Sequence, residues 1–331
     1  MPTMLPRLRA LARHWRDWDE QGCLPSILAA IAVPDTARPE PVEGHARRLV
    51  RGAVSLHWAS HCAYPSTGSG RASRCYYSIR CTKDRGMRLT LATTTPGEAE
   101  IFASLQGEGA SIGRPSVFVR LSRCNLACSW CDTAYTWRFV GDNRPHRDER
   151  SFDRGENQVM LDPPQVAARV RAFGVPRLVI TGGEPLLQGP ALAQMIAALG
   201  GGYHIEIETN GTVAPGPALD GLVDQYNVSP KLAHSGNPAA LALIPERLVA
   251  WAENPRALFK FVIASADDLN EVSALAQTYA IAPERLFVMP EGTDSKILRE
   301  RSRWLAEAAM QHGWRFTDRL HIHLYGDTRG T

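Results

Sequence analysis

Apolar and polar positions along residues 87–331 alternate between two periods. Short apolar runs at 117–121 and 177–180 predict strands, and stretches with helical spacing at 164–173 and 188–199 predict helices. A strand followed by a helix, repeated along the chain, predicts a parallel sheet with helical crossovers.

The alternation continues to the end of the chain. The remaining predicted segments are 204–208, 225–228, 258–263, 267–279, 285–289, 295–312 and 319–324. About six such units suit a full or incomplete barrel, whose active site lies at the carboxyl ends of its strands. We therefore predict an α/β fold, a partial or modified (β/α) barrel. A doubly wound sheet is the structural alternative, but its glycine-rich phosphate loop after the first strand is not visible.

Residues 1–86 differ from the rest in composition. They are rich in Arg, Pro, Ser and Gly, and carry 13 Lys+Arg against 7 Asp+Glu, whereas residues 87–331 carry 24 against 27. We predict that 1–86 is a low-complexity basic extension, largely disordered or the product of a misassigned start, with translation beginning at Met87. The net −3 of residues 87–331 disfavours direct binding of nucleic acid.

Cysteine content bears on the compartment. The chain has 7 cysteines, an odd number, and no secretory signal is visible, which argues for a reducing, cytoplasmic location rather than a disulfide framework. No apolar stretch is long enough to cross a membrane, so no membrane partner is expected.

Three of the cysteines, Cys124, Cys128 and Cys131, follow the predicted strand 117–121 with the spacing C-x3-C-x2-C. Thiolates are soft ligands that select iron–sulfur clusters, zinc or Cu(I). A cubane cluster usually takes four cysteines, so three would leave one iron open to a small molecule. From the cysteines alone, a zinc site completed by a distant residue such as His234 stays open.

Polar motifs follow later predicted strands in a fixed order. Gly-Gly-Glu-Pro stands at 182–185, Glu-Thr-Asn-Gly at 208–211 and Ser-Pro-Lys at 229–231. With the cysteine triplet before them, these segments resemble the radical S-adenosylmethionine (SAM) enzymes. The resemblance implies a [4Fe-4S] cluster on the three cysteines, SAM as cofactor, and a radical SAM catalytic domain over 87–331.

Upstream segments sharpen the resemblance. The run Glu-Ile-Phe-Ala-Ser-Leu-Gln-Gly-Glu-Gly at 100–109 precedes Gly-Arg-Pro-Ser-Val-Phe-Val-Arg at 113–120 and then the cysteine loop. Together these are similar to the 7-carboxy-7-deazaguanine synthase family, over residues 98–331 and including the tail 321–326. Residues 1–86 have no counterpart in it.

The resemblance implies a lyase of queuosine and 7-deazapurine biosynthesis, a pathway of tRNA modification. Such an enzyme converts 6-carboxy-5,6,7,8-tetrahydropterin to 7-carboxy-7-deazaguanine with release of ammonia. A 5′-deoxyadenosyl radical takes hydrogen from C6 of the substrate, which rearranges, and hydrogen returns so that SAM is regenerated. Magnesium supports the reaction.

The resemblance also assigns residues, position by position. The expected substrate contacts are Leu105, Gln106, Gly107, Glu108, Arg120 and Thr181. The expected SAM contacts are Trp130, Asp132, Gly183, Glu184, Ser229, Pro230 and Lys231. Thr133 matches the family's Mg²⁺ position. Surface pairing is the alternative for Arg120, and turn capping the alternative for Thr133.

The same resemblance implies a homodimer and a flavodoxin or ferredoxin as electron donor. Two segments depart from the expected pattern, Met-Pro-Glu-Gly at 289–292 and the long polar stretch 132–161, which we predict to be an insertion or lid. Two other functions remain open. One is an activase for a glycyl-radical enzyme, which would not need segment 105–109; the other is a zinc-stabilised RNA-binding protein.

Overall fold

The computed structural model describes residues 28–30, 49–51, 54–62, 75–83 and 86–331. The chain divides into two compact units, Met1–Gly86 and Met87–Thr331. Within the part that is described, no helix combines the length and apolar character that crossing a bilayer requires.

The first unit contains four described strands: β1 (Leu28–Ala30), β2 (Leu49–Arg51), β3 (Val54–Cys62) and β4 (Cys75–Lys83). They form an antiparallel sheet in the order β1-β4-β3-β2. The sequence patterns do not predict these strands, because aromatic and β-branched residues are interspersed there with Ser, His and Arg without a clear period. The rest of 1–86 lies outside the described residues, so a start at Met87 stays a prediction.

The second unit is built on one sheet of 11 strands flanked by helices. Its strands are β5 (Leu89–Thr95), β6 (Glu98–Ala99), β7 (Ile101–Leu105), β8 (Pro115–Leu121), β9 (Gln158–Leu161), β10 (Arg177–Gly182), β11 (His204–Thr209), β12 (Gln225–Val228), β13 (Ala257–Ile263), β14 (Leu286–Pro290) and β15 (Arg315–Phe316). Its α-helices are α1 (Arg154–Asn157), α2 (Pro163–Ala172), α3 (Gly189–Leu199), α4 (Pro217–Asp220), α5 (Ala239–Ala242), α6 (Pro245–Glu253), α7 (Asp268–Thr278), α8 (Ser295–His312) and α9 (Leu320–Tyr325).

The strand order defines the architecture. Seven strands pair in parallel in the order β8-β10-β11-β12-β13-β14-β15, and β5 and β7 pair antiparallel with β8 at one edge. Spatial order follows chain order without reversal, which excludes the doubly wound alternative, since that fold needs a switch point. The path ends at β15 and β6 without closing, so the predicted incomplete (β/α) barrel is confirmed.

The two faces of the parallel strands differ in polarity. One face contributes Val119, Ile180, Ile207 and Phe261 to the apolar core. Residues at alternate positions point to the opposite face, and there polar side chains recur, namely Arg120, Thr181, Glu206, Glu208, Asn227 and Lys260. A strand face this polar is suited to lining a binding site rather than to packing against a helix.

Predicted and observed elements agree for most of this unit. The helices predicted at 164–173, 188–199, 267–279 and 295–312 are α2, α3, α7 and α8, within one residue at each end. The alternation of strands and helices predicts a strand at 319–324, after helix 295–312. This prediction is wrong, because the segment forms helix α9 and the last strand is β15. The pattern Leu-His-Ile-His-Leu alternates with period two and therefore resembles a strand.

Segment 132–161 is packed rather than loose. It contains α1, strand β9 paired with β5, and a bridge between Phe139 and Phe152. Tyr135, Trp137 and Phe139 within it are buried. The predicted insertion therefore forms part of the core of this unit on the β5 side.

Candidate active site

A cavity of about 230 Å³ opens at the carboxyl ends of the parallel strands. It collects the predicted site residues from segments far apart in the sequence. Those lining it are Leu105, Gln106, Gly107, Glu108, Arg120, Cys124, Cys128, Trp130, Cys131, Asp132, Thr133, Thr181, Gly183, Ser229 and Lys231. The structure does not bring Glu184 and Pro230 to the cavity wall.

Two glycines hold the end of β10 against the start of the cysteine loop. Gly183 donates its N–H to Leu121 O at 3.0 Å, and a Cβ on Gly183 would lie 2.0 Å from Arg123 O. Gly182, at φ +133°, is equally close to the backbone of Leu121. The two glycines thus make room for the backbone that leads to Cys124.

Glu184 lies beneath this contact instead of facing the cavity. Its fully buried carboxylate accepts hydrogen bonds from Leu186 N (3.0 Å), Thr209 Oγ1 (2.9 Å) and Asn210 N (2.7 Å). Burial raises its pKa to about 6, against the lowering effect of these donors. Glu184 thus ties the end of β10 to the turn after β11, and Pro230 is buried between Ser229 and Lys231.

The three thiols are free and face one cavity. Burial raises the pKa of Cys124 to about 12, that of Cys131 to about 11, and that of Cys128 in the same direction. Buried thiols of this kind are inert until a metal takes the proton's place. Among the described residues, no three or more His, Cys, Asp or Glu side chains lie close enough together to hold a single metal ion. The fit to a cluster therefore rests on donor chemistry: three free thiols on one loop at one cavity.

Each sulfur has a side-chain N–H donor from outside the loop. Asn237 Nδ2 lies 3.3 Å from Cys128 Sγ, Trp137 Nε1 lies 3.3 Å from Cys131 Sγ, and Asn210 Nδ2 lies 3.9 Å from Cys124 Sγ. Such donors stabilise negative charge on sulfur. The surroundings of all three cysteines are thus prepared for thiolates.

Trp130 stands between two of the cysteines and lines the cavity. Its ring stacks on His234 at 5.5 Å, and Lys231 Nζ lies 5.6 Å from its centroid. His234 Nδ1 is 3.1 Å from Asp268 Oδ1, and His234 is not part of the cavity wall. His234 therefore supports Trp130 from behind instead of completing a zinc site with the cysteines.

A buried ionic network surrounds Glu108 at the cavity wall. Lys260 Nζ lies 2.6 Å from Glu108 Oε2 and 2.8 Å from Glu208 Oε2, and Arg319 Nε lies 3.0 Å from Glu108 Oε1. Burial alone would raise the pKa of Glu108, but the charges of Lys260, Arg319 and His321 outweigh it and hold the pKa well below its usual range. Glu108 is therefore ionised at the cavity wall.

The network continues on both sides of Glu108. Arg319 also pairs with Asp132 beside the cluster loop. Gln106 Nε2 donates to Glu206 (2.9 Å) and to Glu208 (3.2 Å). One chain of polar contacts, through Glu208, Lys260, Glu108 and Arg319, therefore connects Gln106 of the predicted substrate site with Asp132 of the predicted SAM site.

Sequence patterns missed Lys260, Glu206 and Arg319. A signal was present for the first: Lys260 interrupts the apolar strand Ala-Leu-Phe-Lys-Phe-Val-Ile, where an uncompensated charge would be costly. Only 5% of Lys260 is exposed. A lysine in such a strand indicates a buried acidic partner, which the sequence alone does not identify.

Arg120 is paired but keeps part of its fork free. Its Nε donates to the fully buried Glu100 at 2.8 Å, and Tyr135 Oη donates to the same carboxylate at 2.9 Å. Burial alone would lower the pKa of Arg120, but the charge of Glu100 outweighs burial and holds the pKa above its usual value. This pair is buried, not the surface pair considered as an alternative, and it directs the guanidinium to the cavity.

The C-terminal segment packs against Gly107, one of the predicted substrate contacts. A Cβ on Gly107 would lie 2.1 Å from His321 Nδ1, so glycine lets the His321 side chain of α9 pack directly against this backbone. Leu320 N donates to Gly107 O at 2.9 Å, and both His321 and Thr331 line the cavity. The tail thus forms one wall of the site.

Comparison with known proteins identifies the class first. A family model described as the radical SAM superfamily matches residues 119–229, which include the cysteine loop, Gly182–Gly183 and Ser229. The chain is a radical SAM enzyme, a class that uses a [4Fe-4S] cluster and SAM.

Relatives narrow the class. The chain is 40% identical over 233 residues to 7-carboxy-7-deazaguanine synthase from Pyrobaculum aerophilum, covering 70% of this chain and 95% of the relative. It is 34% identical over 262 residues to the enzyme of that name from Rhodopirellula baltica, covering 72% and 93%. The crystal structure of QueE from Escherichia coli matches with a TM-score of 0.50 and 25% identity, over 70% of this chain and 95% of that one.

The chain belongs to the 7-carboxy-7-deazaguanine synthase family. The resemblance first seen in the motifs is therefore confirmed, together with the radical SAM fold and the lyase function. The glycyl-radical activase and the zinc-stabilised RNA-binding protein are set aside, because neither is consistent with this membership.

Proposed function

We propose that this cavity binds 6-carboxy-5,6,7,8-tetrahydropterin beside cluster-bound SAM and converts it to 7-carboxy-7-deazaguanine with release of ammonia. The observation that carries the proposal is the meeting of two sets of residues in one cavity. The thiols of Cys124, Cys128 and Cys131 line this cavity, and so do Glu108 and Arg120.

On the cluster side, the three thiols would hold three irons of a [4Fe-4S] cluster. When bound and reduced, this cluster supplies the electron that cleaves SAM to the 5′-deoxyadenosyl radical. Lys231, whose Nζ donates to Ser229 Oγ at 2.8 Å, offers an ammonium to the SAM carboxylate. Trp130 offers an apolar edge to the adenine, and Asp132 and the backbone at Gly183 complete this side.

On the substrate side, the charges match the pterin. Glu108, kept ionised by Lys260 and Arg319, accepts the N–H donors of the pterin's guanidine-like edge. Arg120 presents its free nitrogens to the substrate carboxylate, a planar fork on a planar anion. The backbone of Leu105 and Gly107, with Gln106 and Thr181, positions the ring between them.

Mg²⁺ is the third expected component. Thr133 lines the cavity beside Asp132, and its hydroxyl lies 3.6 Å from Cys131 Sγ. A hydroxyl together with substrate oxygens and water suits this hard cation. We further propose a homodimer and reduction by a flavodoxin or ferredoxin, both of which rest on the family alone.

An anaerobic assay with reconstituted protein tests the proposal. It contains the tetrahydropterin, SAM, Mg²⁺ and a reductant, and products are read by mass spectrometry. We expect a product equal to substrate minus ammonia. A protein that holds the cluster and cleaves SAM but leaves the pterin unchanged would overturn the substrate assignment.

Arg120→Ala makes the same assay specific to the site. We expect the KM for the pterin to rise at least about tenfold, because a charge-assisted pair of about 1.5–3 kcal/mol is lost, while SAM affinity is kept. Arg88→Ala is the matched control, since Arg88 pairs with Asp162 on the surface. Equal KM values for both variants would remove Arg120 from substrate binding.

A further inference from the structure

One cysteine is held from outside the loop at two points by the same segment. Trp137 Nε1 donates to Cys131 Sγ at 3.3 Å, and His146 Nε2 lies 2.8 Å from Cys131 O. Because Asp148 N donates to His146 Nδ1 at 3.3 Å, the proton of the imidazole is on Nε2 and is donated to the Cys131 carbonyl. Both residues belong to segment 132–161, in which the proposed function gives roles to Asp132 and Thr133 alone.

The indole is fixed in this position. Trp137 is 5% exposed, Arg144 covers its ring at 4.7 Å, and the edge of His146 is 6.2 Å away. An indole N–H can only donate, and a buried donor without a partner is costly. The Cys131 sulfur is the acceptor that Trp137 has in this structure.

The sulfurs of Cys128 and Cys124 have asparagine side chains as hydrogen-bond donors. Asn237 divides its amide between Cys128 Sγ, Ser235 Oγ at 3.1 Å and Ala127 N at 2.9 Å, so it also organises the loop backbone. Asn210 reaches Cys124 at 3.9 Å, a weak contact. The indole N–H of Trp137, in contrast, donates to the sulfur of Cys131 alone. Removing this N–H therefore changes the hydrogen bonding of one sulfur directly.

The reduction potential of an iron–sulfur centre depends on hydrogen bonds to its sulfurs and on solvent exposure. An N–H directed at a thiolate stabilises the more negative, reduced state and so raises the potential. We propose that segment 132–161 braces the cluster through Cys131, and that Trp137 is a positioning residue that sets the reduction potential by its N–H···S hydrogen bond. This inference rests on the proposed role of the three cysteines as cluster ligands.

Trp137→Phe tests it, because phenylalanine keeps an aromatic ring and loses the N–H. The midpoint potential of the reconstituted full-length protein is measured by EPR-monitored titration without SAM. We expect a shift to more negative potential corresponding to about a tenfold change in the reduction equilibrium, which is about 59 mV for one electron. Trp314→Phe is the matched control: this ring stacks on His312 at 4.2 Å and lies outside the cavity wall, so the potential of the variant should equal that of the wild type.

The outcomes separate this inference from the proposed function. A wild-type protein that holds no cluster would overturn the proposed function. A wild type with a cluster and a Trp137→Phe protein with an unchanged potential would overturn the inference alone.

A second measurement covers the case in which Trp137→Phe does not retain a cluster. Trp130→Phe protein is labelled with indole-15N tryptophan, and the reduced cluster is studied by pulsed EPR. A 15N coupling supports the hydrogen bond from Trp137. Its absence would overturn the proposal.

Discussion

Lys260 Nζ lies 2.6 Å from Glu108 Oε2, although the two residues are 152 positions apart in the chain. The same ammonium lies 2.8 Å from Glu208 Oε2. One buried cation therefore compensates two carboxylates of the cavity wall, and Glu108 stays ionised where the pterin is expected to bind. The charge of the substrate site therefore depends on strand β13, which carries Lys260, as well as on the motif at 100–109, which carries Glu108.

Lys260→Met should destabilise the protein and weaken pterin binding. Removing one partner of a buried pair leaves uncompensated charge and costs about 3–5 kcal/mol. The free energy of unfolding from denaturant titration measures the first effect, and the KM for the pterin the second. Lys296→Met is the matched control on the exposed N-terminal turn of α8 and should change stability by less than about 0.5 kcal/mol. Equal stabilities of the two variants would contradict the role given to Lys260.

The same variant should respond to pH in a defined direction. In the wild type the pKa of Glu108 is held below its usual range, so this group stays ionised in the folded state from neutral pH down past the unfolded value. Without Lys260, burial and mutual repulsion raise the pKa values of both carboxylates. The folded variant then binds more protons than its unfolded state, and its stability rises as pH falls toward about 5.

The stability gap between wild type and Lys260→Met should therefore narrow on acidification from pH 7.5 to 5. The slope is at most about 1.4 kcal/mol per pH unit for each proton. Unfolding free energies at several pH values measure it, and the Lys296→Met gap should stay flat. A gap that widens on acidification would contradict the assignment of Glu108 and Glu208 as the titrating groups.

Gly107→Ala should damage substrate binding and leave SAM binding intact. The new Cβ would lie 2.1 Å from His321 Nδ1 and 2.9 Å from His321 Cγ, so the His321 side chain must rotate, or helix α9 must shift, at the cavity wall. We expect the KM for the pterin to rise at least about tenfold, which corresponds to about 1.4 kcal/mol. Gly201→Ala is the control, because no atom lies within 4 Å of its Cβ position. An unchanged KM would show that the tail does not form the substrate wall.

Gly183→Ala should act on the cluster side instead. Its Cβ would lie 2.0 Å from Arg123 O, and a backbone atom cannot rotate away. Overpacking of this kind costs about 1–3 kcal/mol and would displace the loop that carries Cys124. Iron content after reconstitution should fall relative to wild type and Gly201→Ala. Full iron content would mean that the loop tolerates the shift.

Local sequence patterns predict most of the fold but less of the candidate active site. Helix α8 and strand β12 have the predicted bounds, because their patterns are local and strongly periodic. The antiparallel edge β5–β7 and the helical nature of 320–325 were not predicted, since tertiary pairing decides them. The family resemblance assigned the cysteines and Glu108 to one site, and all four line one cavity. The partners that set their electrostatics lie outside the motifs: Lys260 is 152 positions from Glu108, and Trp137 is six positions after Cys131.

The most direct test of the whole account uses substrate deuterated at C6. The reconstituted protein is incubated anaerobically with this pterin, SAM, Mg²⁺ and a reductant, and both the product and the recovered SAM are analysed by mass spectrometry. The account predicts 7-carboxy-7-deazaguanine in excess over SAM consumed, with deuterium in the recovered SAM. Stoichiometric loss of SAM without deuterium transfer would contradict hydrogen exchange between the substrate and a regenerated cofactor in this cavity.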